Sequence, residues 1–86
     1  MTQQDIIDIT NKVFEEEFEI DPVRLTPDAK IFEDLGLDSL DIVDLVVALQ
    51  KNFKVRIQDD ERVRQIRTLA DVYGFIEEKR ADLNKS

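Results

Sequence analysis

Eighty-six residues carrying 20 Asp and Glu against 12 Lys and Arg give a formal charge of −8, with room for one hydrophobic core and not two. Hydrophobic residues make up 42% and charged residues 37%, enough apolar content to fold and too much charge for a bilayer span. With no Cys and no His, disulfides, a thiolate nucleophile and the commonest general base and transition-metal ligand are all excluded.

The chain therefore reads as a soluble, acidic protein, not an enzyme by its own side chains. Its start, Met1-Thr2-Gln3-Gln4-Asp5, lacks the basic region of a signal peptide, which points to the cytoplasm. The charge is uneven. Residues 1–50 hold 13 acidic and 3 basic residues, a net of −10, whereas residues 51–86 hold 7 and 9, a net of +2. An acidic body of this kind repels nucleic acid and anionic lipid and suits proteins with basic patches. Solubility alone is the plainer reading of the same charge.

No repeat or low-complexity tract divides the chain, so residues 1–86 are taken as one domain. A first helix is expected from about Gln3 to Phe18, where Ile6, Ile9 and Val13, with Ile7, Phe14 and Phe18, share one side. A long connection, roughly Glu19 to Asp38, contains both prolines and Gly36. Its anchors Ile20, Val23, Leu25, Ile31, Phe32, Leu35 and Leu37 are expected to pack across the helices. A second helix begins near Ser39 and runs to Lys51 or Phe53, with Asp38 as cap and Asp41 completing a capping-box-like pair. A short third helix is expected from Asp59-Asp60-Glu61 to near Ile66. A fourth opens with Thr68 as cap and Asp71 three positions on, and carries Leu69, Val72, Tyr73, Ile76 and Leu83 on one face. The sum is an all-α, four-helix bundle with a short third helix and a long loop between helices 1 and 2.

The informative segment is Asp34-Leu35-Gly36-Leu37-Asp38-Ser39-Leu40-Asp41. Gly36 permits a tight, left-handed turn just before the second helix. Ser39 falls in the first helical turn, where free backbone N–H groups and the helix dipole favour an anion such as a phosphodiester. Taken alone, an Asp-Ser pair is more often a cap. The helix behind it adds to the signal. Ile42, Leu45, Val46, Leu49 and Phe53 form a core face, while Leu40, Val43 and Val47 fall on nearly the opposite side, bordered by Asp41, Asp44 and Lys51. Two apolar stripes cannot both face the core of so small a bundle. The second is expected to be exposed as a docking surface, unless a neighbouring helix or the loop covers it.

Phe32-Glu33-Asp34-Leu35-Gly36-Leu37-Asp38-Ser39-Leu40-Asp41, then Val43-Asp44-Leu45-Val46, Ala48-Leu49, Phe53, Ile57 and the acidic Asp59-Asp60-Glu61 resemble an acyl carrier protein, over nearly the whole chain. The resemblance implies that Ser39 is the attachment site of 4'-phosphopantetheine, transferred from coenzyme A by a separate phosphopantetheinyl transferase with Mg2+. Asp38 would help orient Mg2+ and the serine during that transfer. The arm's thiol would carry acyl groups as thioesters, lending thiol chemistry to a chain without Cys. Leu40, Asp41, Val43, Asp44 and Val47 would meet partner enzymes: the transferase, then acyl-transfer and synthase enzymes of fatty-acid or related lipid or polyketide biosynthesis. The resemblance also implies a non-catalytic monomer in which core-facing Ile42, Leu45, Val46, Leu49, Phe53, Ile57, Val63, Ile66, Leu69, Val72 and Ile76 hold the bundle together, and part of that interior can open to shelter an acyl chain.

One departure stands out. Residues 51–67 carry 6 basic and 3 acidic residues, a local +3, where carriers of bulk fatty-acid synthesis usually remain acidic. This implies either dedicated partners with a partly acidic face or harmless surface drift.

Other readings are weaker. An EF-hand pattern starting at Asp34 fails, because Ser39 takes the sixth position and Leu45 the twelfth, and no metal site is expected. An unmodified helical docking module explains the stripe but not the serine in its setting. An aminoacyl, peptidyl or D-alanyl carrier shares the serine, and the acidic first half favours an acyl cargo over it.

Crowded carboxylates repel one another at neutral pH, so added salt or divalent cations are expected to raise the melting temperature. A melting temperature indifferent to both would contradict this reading.

Overall fold

The computed structural model describes residues 2–57 and 60–84. Its chain is all-helical in order: α1 (Gln3–Phe18), a 3-10 turn (Pro22–Arg24), α2 (Ser39–Phe53), a second 3-10 turn (Glu61–Gln65) and α3 (Leu69–Asn84). Each helix starts on a reciprocal pair of hydrogen bonds between two residues three apart, which occupies amides that have no intrahelical partner. Thr2 and Asp5 open α1. Asp38 and Asp41 open α2. Thr68 and Asp71 open α3, and the amides of Arg67 and Thr68 hold the Asp71 carboxyl below its ordinary pKa.

Helix α1 packs against both α2 and α3. It buries Ile6, Val13 and Phe14, and the rings of Phe14 and Phe18 meet at 6.0 Å between centroids. The core also holds Leu45, Leu49 and Phe53 of α2 and Leu69, Val72, Tyr73 and Ile76 of α3. Tyr73 donates its hydroxyl to Asn11 Oδ1, tying α3 to α1. Thr10 is fully buried in α1 with its hydroxyl unpaired.

The long loop is packed, as its apolar content predicts, because its polar backbone finds partners. Ile31 N donates to Arg67 O at 2.9 Å and Leu69 N to Ala29 O at 3.1 Å, on either side of an antiparallel bridge between Lys30 and Thr68. Asp34 closes the next turn by accepting from Lys30 N. Satisfied in this way, the segment buries Ile20, Leu25, Ile31, Leu35 and Leu37.

Two expected anchors do not pack. Val23 is 78% exposed, because it lies inside the Pro22–Arg24 turn while its flanking neighbours Ile20 and Leu25 take the inward positions. Phe32 is also exposed, beside the site described below.

The expected short third helix is a 3-10 turn rather than an α-helix, so the helical elements number three α-helices and two 3-10 turns among the described residues. Its bonds run i to i+3, from Val63 N to Asp60 O and from Ile66 N to Val63 O. Residues 66–68 must then extend to meet the loop at Lys30. Five residues leave no length for an α-helical nucleus to recover its cost. Asp59 and the side chain of Leu83, both assigned from sequence, lie outside the described part.

A charged cluster fastens that turn to α3. Asp60 caps it through Arg62 N and receives the Arg62 guanidinium at 2.7 Å and Lys79 Nζ at 3.2 Å. Arg62 also pairs with Glu78 at 3.0 Å and lies 5.3 Å above the Phe75 ring. The Arg62 side chain, then its amide, hold the Asp60 carboxyl well below the usual carboxylate range. A depressed folded-state pKa contributes stability above the unfolded value of about 3.9 and loses it as pH falls through the folded value. Asp60→Asn is thus expected to cost about 1 kcal/mol at neutral pH, since its partners are partly solvated. The gap in melting temperature from wild type should close as pH drops from about 5 towards 2. A gap constant across that range would show that the charge on Asp60 contributes nothing.

Candidate functional site

The site is built where the loop feeds α2. Gly36 adopts φ +73°, a left-handed turn that glycine makes without steric cost. Leu35 and Leu37 on either side are buried. This turn delivers Asp38 as N-cap and Ser39 as the first residue of α2, with the Ser39 side chain exposed.

The electrostatics of that terminus differ from the expectation of free amides. Asp38 Oδ1 accepts from Leu40 N at 2.9 Å and from Asp41 N at 3.0 Å. Asp38 N donates to Asp41 Oδ2 at 3.0 Å, and Ile42 N donates to Asp38 O. The amides of Asp38, Leu40 and Asp41 are spent on the chain's own carboxylates and that of Ser39 is left over, so two negative groups flank Ser39 instead of an open ring of N–H groups.

Two surfaces diverge from Ser39. Outward, Leu40 is 78%, Val43 61% and Val47 48% exposed. Neither the loop nor a neighbouring helix covers this stripe, and Asp44 stands exposed within it. Inward lies a cavity of about 190 Å³, well above the water-sized voids of a close-packed interior. Its walls are apolar: Ile42, Leu45, Val46 and Leu49 from α2, Val63 and Ile66 at the 3-10 turn, and Val72 and Phe75 from α3. The exposed lining residues Phe32, Ser39, Arg64 and Arg67 mark its mouth. Ile42, Val63 and Ile66, assigned from sequence to the core, are only half-buried because they face this space.

Sequence reasoning missed Phe75, which is 4% exposed. It falls beside the face counted on α3, and its burial follows from the cavity wall it shares with Val72 and from the Arg62 side chain stacked over it from the turn. The two arginines at the mouth appeared in sequence only as part of a basic stretch. No group of three or more metal-ligating side chains gathers among the described residues, and no described helix is long and apolar enough to cross a membrane.

Residues 11–76 match the family described as a phosphopantetheine attachment site. The chain is thus of the class that bears a covalently attached 4'-phosphopantetheine. It is 43% identical to acyl carrier protein 2 of Ralstonia nicotianae over 77 residues, 90% of this chain and 94% of that one. It is 37% identical to the acyl carrier protein of Thermosynechococcus vestitus over 92% of this chain and 96% of that one. Against the acyl carrier protein of Campylobacter curvus it is 43% identical, over 84% and 92%. The chain belongs to the acyl carrier protein family, whose members are non-catalytic carriers. The residues present fit the cofactor: an exposed serine hydroxyl opens α2, and an apolar cavity begins beside it.

Because Asp38 serves two amides at once, Asp38→Ala is expected to cost about 1 kcal/mol in a urea titration. Asp38→Asn, which caps equally well, should stay within a few tenths of wild type. Equal losses in the two variants would show that charge, and not capping, is what α2 needs at this position.

Proposed function

We propose that residues 1–86 act as one carrier domain in which Ser39 bears the phosphopantetheine arm and presents acyl groups to enzymes of fatty-acid or related lipid or polyketide biosynthesis. The observation that carries this reading is the position of Ser39, exposed at the start of α2, between an apolar cavity and an uncovered apolar stripe. The arm supplies the thiol that a chain without Cys lacks.

Attachment joins Ser39 Oγ to the phosphorus next to the pantetheine of coenzyme A. The phosphoanhydride bond breaks, adenosine 3',5'-bisphosphate leaves, and the serine proton passes to the separate transferase. The chain contributes placement. Gly36 and the Asp38–Asp41 cap fix where α2 begins and so hold the hydroxyl clear of the core. Asp38 Oδ1 is occupied by the two amides, whereas Oδ2 accepts no hydrogen bond among the described residues. That second oxygen suits Asp38 to orient Mg2+ or the serine during transfer. Leu40, Val43 and Val47 offer apolar contact, and Asp41 and Asp44 offer charge, to a partner with an apolar patch rimmed by basic residues. The cavity walls would exclude water from an acyl chain drawn inward.

Intact mass before and after incubation with coenzyme A, Mg2+ and a broad-specificity phosphopantetheinyl transferase tests this. Wild type is expected to gain one phosphopantetheine and Ser39→Ala none. Asp38→Asn should load several-fold more slowly. A gain in Ser39→Ala would move the attachment site elsewhere. No gain in an unmodified wild type would leave a docking module whose serine only starts a helix.

A further inference from the structure

We infer that Arg64 and Arg67 form a cationic subsite for the phosphodiester on Ser39, an inference that rests on Ser39 being the attachment site. The need arises at the helix terminus. A phosphate on Ser39 places a negative charge against the carboxylates of Asp38 and Asp41; of the amides that would ordinarily receive an anion, those of Leu40 and Asp41 already bind Asp38 and that of Asp38 binds Asp41, which leaves the uncharged Ser39 amide. The compensating charge must come from another element.

The structure sorts the basic residues of the 51–67 stretch. Arg62 is committed to Asp60, Glu78 and the Phe75 ring. Lys51, Lys54 and Arg56 do not line the cavity. Arg64 and Arg67 do, together with Ser39, and they are the cationic side chains that line it. Arg67 is held there, its guanidinium donating to the carbonyl oxygens of Arg64 at 2.9 Å and Ile66 at 3.1 Å. That anchoring uses one of its nitrogens and leaves further donors of the fork for an anion. Arg64 makes no side-chain hydrogen bond or ion pair among the described residues. Both sit on the far wall from α2, so an anion between them and Ser39 would lie at the cavity mouth, and the arm's first atoms would be turned towards the apolar interior.

The test is a two-by-two comparison of apo and phosphopantetheine-loaded protein, in wild type and in Arg64→Gln/Arg67→Gln, after intact mass confirms loading at Ser39. Each variant is referred to its own apo form, so any loss of intrinsic stability cancels. The loaded-minus-apo melting temperature is expected to be about 2–4 °C lower in the double variant than in wild type at low ionic strength. That difference should vanish near 1 M salt, where screening acts over about 3 Å. The phosphorus NMR resonance of the loaded protein should shift between wild type and the double variant. Lys51→Gln/Lys54→Gln, which removes two charges from the same stretch away from the cavity, should leave both readouts at wild-type values. Equal effects in the lysine and arginine variants would reduce the result to net charge and overturn the subsite, as would no effect in either. Failure to load Ser39 at all would overturn the attachment reading and the subsite with it.

Discussion

Every feature of the site depends on where α2 begins, and that register is set by the reciprocal hydrogen bonds between Asp38 and Asp41. On a helix a shift of one residue turns each side chain by about 100°. Begun one residue later, α2 would turn Leu45, Val46 and Leu49 off the core and direct the Leu40–Val43–Val47 stripe elsewhere. Gly36 makes the register reachable by reversing the chain immediately upstream, and the buried pair Leu35 and Leu37 anchors that reversal. The cap thus converts two polar residues in the sequence into the placement of one hydroxyl between two apolar surfaces.

Much of this was legible because helix periodicity and capping are local. The three-residue spacing of Asp38 and Asp41, and of Thr68 and Asp71, marked two helix starts where the structure has them. The two stripes of α2 followed from 100° steps alone. What could not be read depends on distant pairing. The turn at Glu61–Gln65 is 3-10 because residues 66–68 are drawn out to meet Lys30, a partner more than thirty positions away. Phe75 is buried in the wall of the cavity, with Arg62 reaching over it from that turn. Val23 escapes the core through a turn closed by Asp21. Local spacing also suggested free amides at Ser39. The Asp38–Asp41 cap read from the same spacing already implies the contrary, since a cap of that kind takes up the amides of Leu40 and Asp41.

That double use of Asp38 reorganises the charge distribution. The acidic first half of the chain is, in part, helix-starting chemistry: Asp5 and Asp38 serve caps, with Asp41 closing the second. The basic stretch that follows has no single role. One arginine is half-buried, fastening the turn to α3 and covering an aromatic ring. Two stand at the cavity mouth opposite the acidic helix start. The lysines at 51 and 54 lie at the other end of α2, exposed. A net charge assigned to residues 51–67 as a block therefore averages positions with unrelated functions.

The same cross-linking decides which wall of the cavity can yield. The loop is bonded to α3 through Ala29 and Pro27 and to the segment just before it through Ile31, and the 61–65 turn to α3 through Asp60, Arg62, Glu78 and Lys79. Among the described residues, no backbone hydrogen bond passes from α2 to that turn or to α3. Loop, turn and α3 are joined by directional bonds, while α2 faces them across the cavity through apolar side chains. Separating α2 from the turn would therefore forfeit dispersion contacts of a few tenths of a kcal/mol or less apiece and break no ladder of hydrogen bonds. Contacts of that kind re-form as readily with an incoming methylene chain as with one another. A cavity that must admit and release an apolar guest needs its movable wall closed by such contacts, and here they are concentrated on the side next to Ser39.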